Sequence, residues 1–306
     1  MLPDGLWSIG ELAGRAGVTV KTVRYYSDRG LLPAAARSAG GHRRYGPGAL
    51  DRLRTIRSLR TLDLPVADID RVLDHEDALE DVVAGQLKEL GSQLAALRWR
   101  EAALRLLRDC TAEERADRLR LIGAVSTPPD TTALARYWRR VLPVRLPARQ
   151  VAWITDAAVP RPPADPEPAQ VLAFARLHAL ATTDCPVPDR RPPSPEPGAE
   201  YRPGVLYDGL GEAYELTAPA LCAGREPHAG EALDCFVSAY AGAHGTRDTP
   251  AFRRSLASLL ERSAHPVMDR YWQLAGELAA PGHPTLGAAH DWLRTALDGH
   301  LRLRGR

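Results

Sequence analysis

"VTVKTVRYYSDRGLLPAAARSAGGHRRYG", residues 18–46, sets a lysine, five arginines and three tyrosines around glycine breaks, with Asp28 as its one acidic residue. Thr19 can cap a helix in which Val20, Val23 and Ser27 lie inward and Gly30 supplies the stop. The rest of the stretch turns at Gly40 and Gly41 between two short extended runs, the pattern of a β-hairpin. Read alone, such a basic stretch is either a solvated hairpin or a surface that recognises something.

The flanking residues decide between these. Upstream, "SIGELAGRAGV" (8–18) reads as a first short helix: Ser8 is an N-cap, Glu11 completes a capping box, Ile9, Leu12 and Ala16 share a face, and Gly17 ends it. Two helices of about two turns joined by a glycine-containing turn make a helix-turn-helix, and the hairpin becomes its wing. Downstream, Pro47 opens a third helix with Leu50, Leu53, Ile56 and Leu59 on one side. Pro65 opens a fourth with Val66, Ile69, Val72 and Leu73. From Asp77 to about Arg108 there is no proline. Here Val83, Leu87, Leu90, Leu94, Leu97, Glu101 and Leu104 are spaced by alternating fours and threes, a heptad seam with one polar position. So narrow a stripe on so long a helix calls for a partner helix; the alternative is packing on its own domain.

The charge is as uneven as the pattern. The 306 residues carry a formal net charge of +2, yet eleven basic side chains meet only Asp28 and Asp51 between Leu12 and Leu62. A cluster of this kind is the electrostatic footprint of a polyanion-binding module. On the second helix Lys21, Thr22, Arg24, Tyr25 and Asp28 fall outside the valine stripe. Arginine or lysine on a helix of this size can address guanine edges in the major groove, while tyrosines and wing arginines hold phosphates.

"SIGELAGRAGVTVKTVRYYSDRGLL", then an arginine, then "GGHRRY", then two helices and a coiled-coil helix, resemble the mercury-resistance-regulator (MerR) family of bacterial transcription factors over about residues 7 to 110. The resemblance implies a mainly α fold: a winged helix-turn-helix (1–75), an antiparallel coiled-coil dimerisation helix (76–110) and a mostly helical effector domain (111–306). It implies DNA contacts from Thr19, Lys21, Thr22, Arg24, Tyr25 and Tyr26, from Arg37, Gly41, His42, Arg43, Arg44 and Tyr45 of the wing, and from Arg60 on the third helix. Val83, Leu87, Leu90, Leu94, Leu97 and Leu104 would form the dimer seam. A two-fold dimer implies an inverted-repeat operator in double-stranded promoter DNA, distorted so that RNA polymerase can engage it. The sequence departs from the family at "TLDLP" (61–65), where a glycine usually follows the leucine.

Beyond Thr127 proline-rich runs alternate with helical candidates at 131–142, 168–182, 231–243, 250–263, 266–278 and 284–300, and "RQVAWITD" (149–156) reads as a short strand. Trp138, Trp153, Tyr207, Tyr214, Tyr271 and Trp272 are candidate walls of a pocket for a small organic effector, although aromatic residues are more often core. A tail that binds a protein, or that has no effector, is the competing reading. Cys110, Cys185, Cys222 and Cys235 show no converging metal-ligand or iron-sulfur spacing, so neither a metal nor a cofactor is expected. No catalytic motif points to an enzyme. With no leader-like segment and no membrane-length apolar run, the expected location is cytoplasmic.

Overall fold

The structure is a computed structural model that describes residues 5–75, 77–183, 201–280 and 282–304. Cys185 and most of the proline-rich run around it lie outside the described residues. The chain is mainly helical and divides into two compact units, Met1–Ser92 and Gln93–Arg306, with the boundary inside one long helix. Among the described residues no helix is long and apolar enough to cross a membrane.

The N-terminal unit runs β1 (Trp7–Ser8), α1 (Ile9–Ala16), α2 (Val20–Asp28), β2 (Ala36–Arg37), β3 (Arg43–Tyr45), α3 (Gly48–Arg60), α4 (Val66–Asp74) and the start of α5 (Ala78–Arg108). The strands form an antiparallel sheet in the order β1-β3-β2, so the expected hairpin gains a third strand from the residues just before α1. Trp7 pairs with Tyr45 on one edge of β3, and Ala36 pairs with Arg44 on the other. Leu12, Val23, Leu32, Tyr45, Leu53, Ile56 and Ile69 are fully buried and form the centre of the core. At "TLDLP" the backbone of Asp63 takes φ 57°, the left-handed region, at the residue where the sequence departs from the resemblance. Aspartate tolerates that region better than most side chains, and the turn between α3 and α4 closes.

The C-terminal unit holds the rest of α5 followed by α6 (Ala112–Gly123), α7 (Thr132–Val141), α8 (Ala148–Ala158), α9 (Pro168–Thr182), α10 (Pro203–Cys222), α11 (Glu231–Ala243), α12 (Pro250–Ser263), α13 (Pro266–Leu278) and α14 (Leu286–Arg304). The strand expected at 149–156 is instead part of α8. Its buried side chains, Gln150, Ile154 and Ala158, recur every four residues, so helical spacing overrides the short alternation of Val151 and Trp153. Helices α6 and α10 were not anticipated. α10 carries Gly204, Gly209, Gly211 and Pro219, and in the fold Gly209 and Gly211 are close-approach points. A Cβ at Gly209 would lie 2.6 Å from the Cβ of Ala239 on α11, and one at Gly211 would lie 3.1 Å from the Trp153 ring.

Candidate DNA-binding interface

The candidate interface begins with the caps that fix its two helices. The Glu11 amide donates to Ser8 Oγ (3.2 Å) and the Ser8 amide to the Glu11 carboxylate (2.7 Å), closing the expected capping box. The Ser8 amide, helped by its hydroxyl, holds the Glu11 carboxyl below the usual carboxylate range. Gly17 ends α1 at φ 63°, a left-handed turn open to glycine at little cost. Thr19 then caps α2: its Oγ1 accepts from the Thr22 amide at 3.2 Å and lies 2.9 Å from the Thr22 hydroxyl. Both threonines are therefore engaged in starting the helix.

Around α2 the inward face differs from expectation in one respect. Val23 and Tyr26 are buried, whereas Val20 is 40% exposed. The helix turns by about 100° per residue, and Tyr26, three positions after Val23, gives the core a far larger side chain than Val20. Tyr26 is thus a core residue and not part of the exposed face. Lys21, Arg24, Tyr25, Asp28 and Arg29 remain outward. Arg29 lies over the Tyr25 ring, 4.7 Å from its centre, and Tyr26 meets that ring edge-on at 5.3 Å, so the Tyr25 ring is held in place while it stays 43% exposed.

The wing turns at Gly41 (φ 78°), with the Gly41 amide donating to Ser38 O at 2.8 Å and the His42 amide to Ser38 Oγ at 3.2 Å. Arg37 and His42 are exposed, and Arg43 and Arg44 are half-buried. Tyr45 departs from the expected contact set: it is fully buried, and its hydroxyl donates to Ser27 Oγ at 3.0 Å. Arg43 forms an ion pair with Asp28 at the end of α2, a partner that the sequence did not signal.

The arginines of α3 have local partners as well. Arg60 donates to the Leu64 carbonyl (2.6 Å), Arg57 to the Ala16 carbonyl (2.5 Å), and Arg52 to the Leu31 and Leu73 carbonyls (2.6 and 3.2 Å). These three bind together the turns of the unit, so the local basic excess overstates how much charge is available to a ligand. Of the expected residues, Lys21, Arg24 and Tyr25 of α2 and Arg37 and His42 of the wing are exposed, and Arg43 and Arg44 are half-buried.

On α5 the expected seam is uncovered. Val83, Leu87, Leu90, Leu94, Leu97 and Leu104 are between 38% and 68% exposed. Two residues along from Leu97, on the opposite side of the helix, Trp99 begins a second stripe with Ala102 and Leu106 that is buried in the core of the C-terminal unit.

Of the aromatic candidates of the C-terminal unit, Trp138, Tyr271 and Trp272 pack on one another. Trp138 and Tyr271 are buried: Tyr271 stacks on Tyr137 at 5.6 Å, Trp138 and Trp272 meet it edge-on, and its hydroxyl donates to the Ala158 carbonyl at 2.9 Å. Trp153 packs on α10 at Gly211, while Tyr207 and Tyr214 are half-buried, with the Tyr214 hydroxyl 2.9 Å from His290 Nδ1. None of the six lines the cavity of about 230 Å³ that opens between the end of α10, the loop to α11, and α14. That cavity has Leu216, Pro219, Ala220 and Trp292 as apolar wall and Arg225, His228 and Glu231 as polar groups. The Trp292 indole donates to the Arg225 carbonyl (3.0 Å) and meets the His228 ring edge-on, which fixes the loop. Sequence reasoning missed it because a loop of unreadable path brings these residues together. Cys222 and Cys235 donate to the separate carbonyls of Gly282 and Gly209, and burial raises the Cys235 thiol to about 11.

Comparison with known proteins bears on the N-terminal unit. A family model described as MerR HTH family regulatory protein matches residues 7–76. Nodulation protein NolA of Bradyrhizobium sp. (strain NC92) is 42% identical over 89 residues, 29% of this chain and 38% of that protein. HTH-type transcriptional activator TipA of Streptomyces coelicolor is 47% identical over 68 residues, 22% of this chain and 27% of its own length. The HTH-type transcriptional regulator ZntR homolog of Haemophilus influenzae is 32% identical over 121 residues, 37% of this chain and 90% of that protein. The matched stretch spans well under half the length of the NolA and TipA relatives but nearly all of the ZntR homolog.

Proposed function

Because the chain belongs to the MerR family of helix-turn-helix regulatory proteins, we propose that it is a dimeric transcription regulator that binds and distorts an inverted-repeat promoter operator. The observation that carries this reading is the face of α2, where Lys21, Arg24 and Tyr25 stand exposed beside a wing bearing Arg37, His42, Arg43 and Arg44. Arginine on a groove-facing helix reads guanine, and wing side chains set the register on phosphate. The uncovered leucine stripe of α5 supports a two-fold dimer, since a second copy of the helix would bury both stripes at once. Two half-sites then meet two copies of α2, and the bent or untwisted promoter is what RNA polymerase engages.

A small organic effector acting through the C-terminal unit completes the proposal. Its supporting feature is the cavity at Trp292, where an indole wall and three polar groups converge. At about 230 Å³ it is smaller than the roughly 300–1,000 Å³ of drug-sized sites, which suits a compact ligand. Thermal shift against a panel of small aromatic and amphipathic metabolites should stabilise wild type and not Trp292→Ala. A flat response across the panel favours a tail without a small-molecule effector.

The DNA-binding part is tested with Arg24→Ala. It should cost about 1–3 kcal/mol of affinity for a selected duplex and relax base preference at one position in each half-site. A variant with wild-type affinity and preference would remove α2 from the groove.

A further inference from the structure

We propose that Asp28 is a positioning residue for Arg43, so that an acidic side chain at the edge of the DNA-facing surface strengthens DNA binding. The inference rests on the DNA-binding reading above. It starts from a paradox of charge: between Leu12 and Leu62 eleven basic residues meet two acidic ones, and the second of these, Asp51, pairs with Arg54 on its own helix. Asp28 is the acidic residue of α2 itself, on the helix that presents Lys21, Arg24 and Tyr25. Simple electrostatics makes a carboxylate there a liability beside a polyanion.

The geometry gives it a use. Arg43 and Tyr45 stand two apart on β3, so their side chains leave the strand on the same side. Both reach the last turn of α2: the Tyr45 hydroxyl donates to Ser27 Oγ at 3.0 Å, and Arg43 Nη1 donates to Asp28 Oδ1. Two successive helix residues therefore clasp two alternate wing residues. The buried Tyr45 end anchors the strand, and the Asp28 end orients a guanidinium that would otherwise sweep through many rotamers. A guanidinium has five N–H donors in a rigid fork, and the pair engages it through Nη1. The Arg43 side chain stays 30% exposed, so its fork is held and still reachable from solvent. An exposed pair of this kind contributes little to folding stability, which separates positioning from a merely structural role.

The test uses the full-length chain and, as probe, a duplex that the wild-type protein enriches from a random-sequence pool. Asp28→Asn should bind that duplex about five- to tenfold more weakly, although it removes a negative charge from the surface. Its melting curve should be unchanged, and Asp28→Glu should recover most of the lost affinity. In an Arg43→Ala background the sign should reverse: with no guanidinium to orient, Asp28→Asn should leave binding equal or tighter. Tighter binding of Asp28→Asn in the wild-type background would overturn the inference, as would an equal loss in both backgrounds. A pool that yields no enriched duplex would overturn the DNA-binding reading and this inference with it.

Discussion

In the N-terminal unit Lys21, Arg24 and Tyr25 stand in solvent on α2, whereas in the C-terminal unit Tyr137, Trp138, Tyr271 and Trp272 lie against one another in the core. The two regions use overlapping chemistry for opposite ends. On α2 a tyrosine is braced by an arginine and left exposed, a cost that folding alone does not require. In the C-terminal unit aromatic rings supply the buried area that holds helices α7 and α13 together. Exposure maintained by specific contacts supports the proposed contact surface, and aromatic abundance by itself does not.

The contrast is broken most directly by exchanging the roles of two tyrosines. Tyr271→Ala should lose about 3–5 kcal/mol of stability in chemical denaturation, because it removes a fully buried, stacked ring and its hydrogen bond to Ala158. Tyr25→Ala should change stability by no more than about 0.5 kcal/mol while weakening DNA binding. If Tyr271→Ala melts like wild type, the aromatic cluster is not core and the contrast fails.

The next effect belongs to α5, whose two faces repeat the comparison on one helix. Leu90→Glu with Leu94→Glu should yield a monomer by light scattering with its helix content intact. Loss of the second half-site contact should weaken operator binding on the order of a hundredfold, about 2.7 kcal/mol. An unchanged dimer would remove the seam from the account.

How far the sequence could be read follows the same division. The caps Ser8, Glu11 and Thr19 and the turns at Gly17 and Gly41 are local signals, and each has its expected geometry. What local signals could not settle was which side chain at the edge of a stripe goes inward: Tyr26 and Tyr45 are buried and Val20 is not. Nor could they show that Arg52 and Arg57 donate to carbonyls of distant turns, since those partners are set by tertiary packing. In the C-terminal unit α10 was not legible, because the use of its glycines, letting Ala239 and Trp153 approach, lies on other helices. The cavity at Trp292 depends on the path of a loop, for which no periodicity exists.

Two smaller effects are expected, one in each unit. Asp63→Val places a β-branched side chain at φ 57° and should cost about 1–2 kcal/mol, while Asp63→Gly should be neutral or slightly stabilising. Equal stability of both variants would mean that the turn is not left-handed. In the C-terminal unit burial lowers the His244 pKa from its ordinary value, so near and below pH 6.5 the unfolded chain binds more protons there than the native one. That contribution to stability is complete above the unfolded pKa and is lost as the pH falls. His244→Gln should melt with a shallower dependence on pH between 8 and 5; an identical slope would show that His244 does not titrate differently on folding.

α2 and its wing are proposed to read DNA as a two-fold pair. Selection of bound duplexes from a random pool by the full-length wild type and by Arg24→Ala tests it most directly. Wild type should enrich an inverted repeat, and Arg24→Ala should lose preference at one symmetric pair of positions. Enrichment of the same motif with the same preferences by both proteins, or of no motif by wild type, would contradict it.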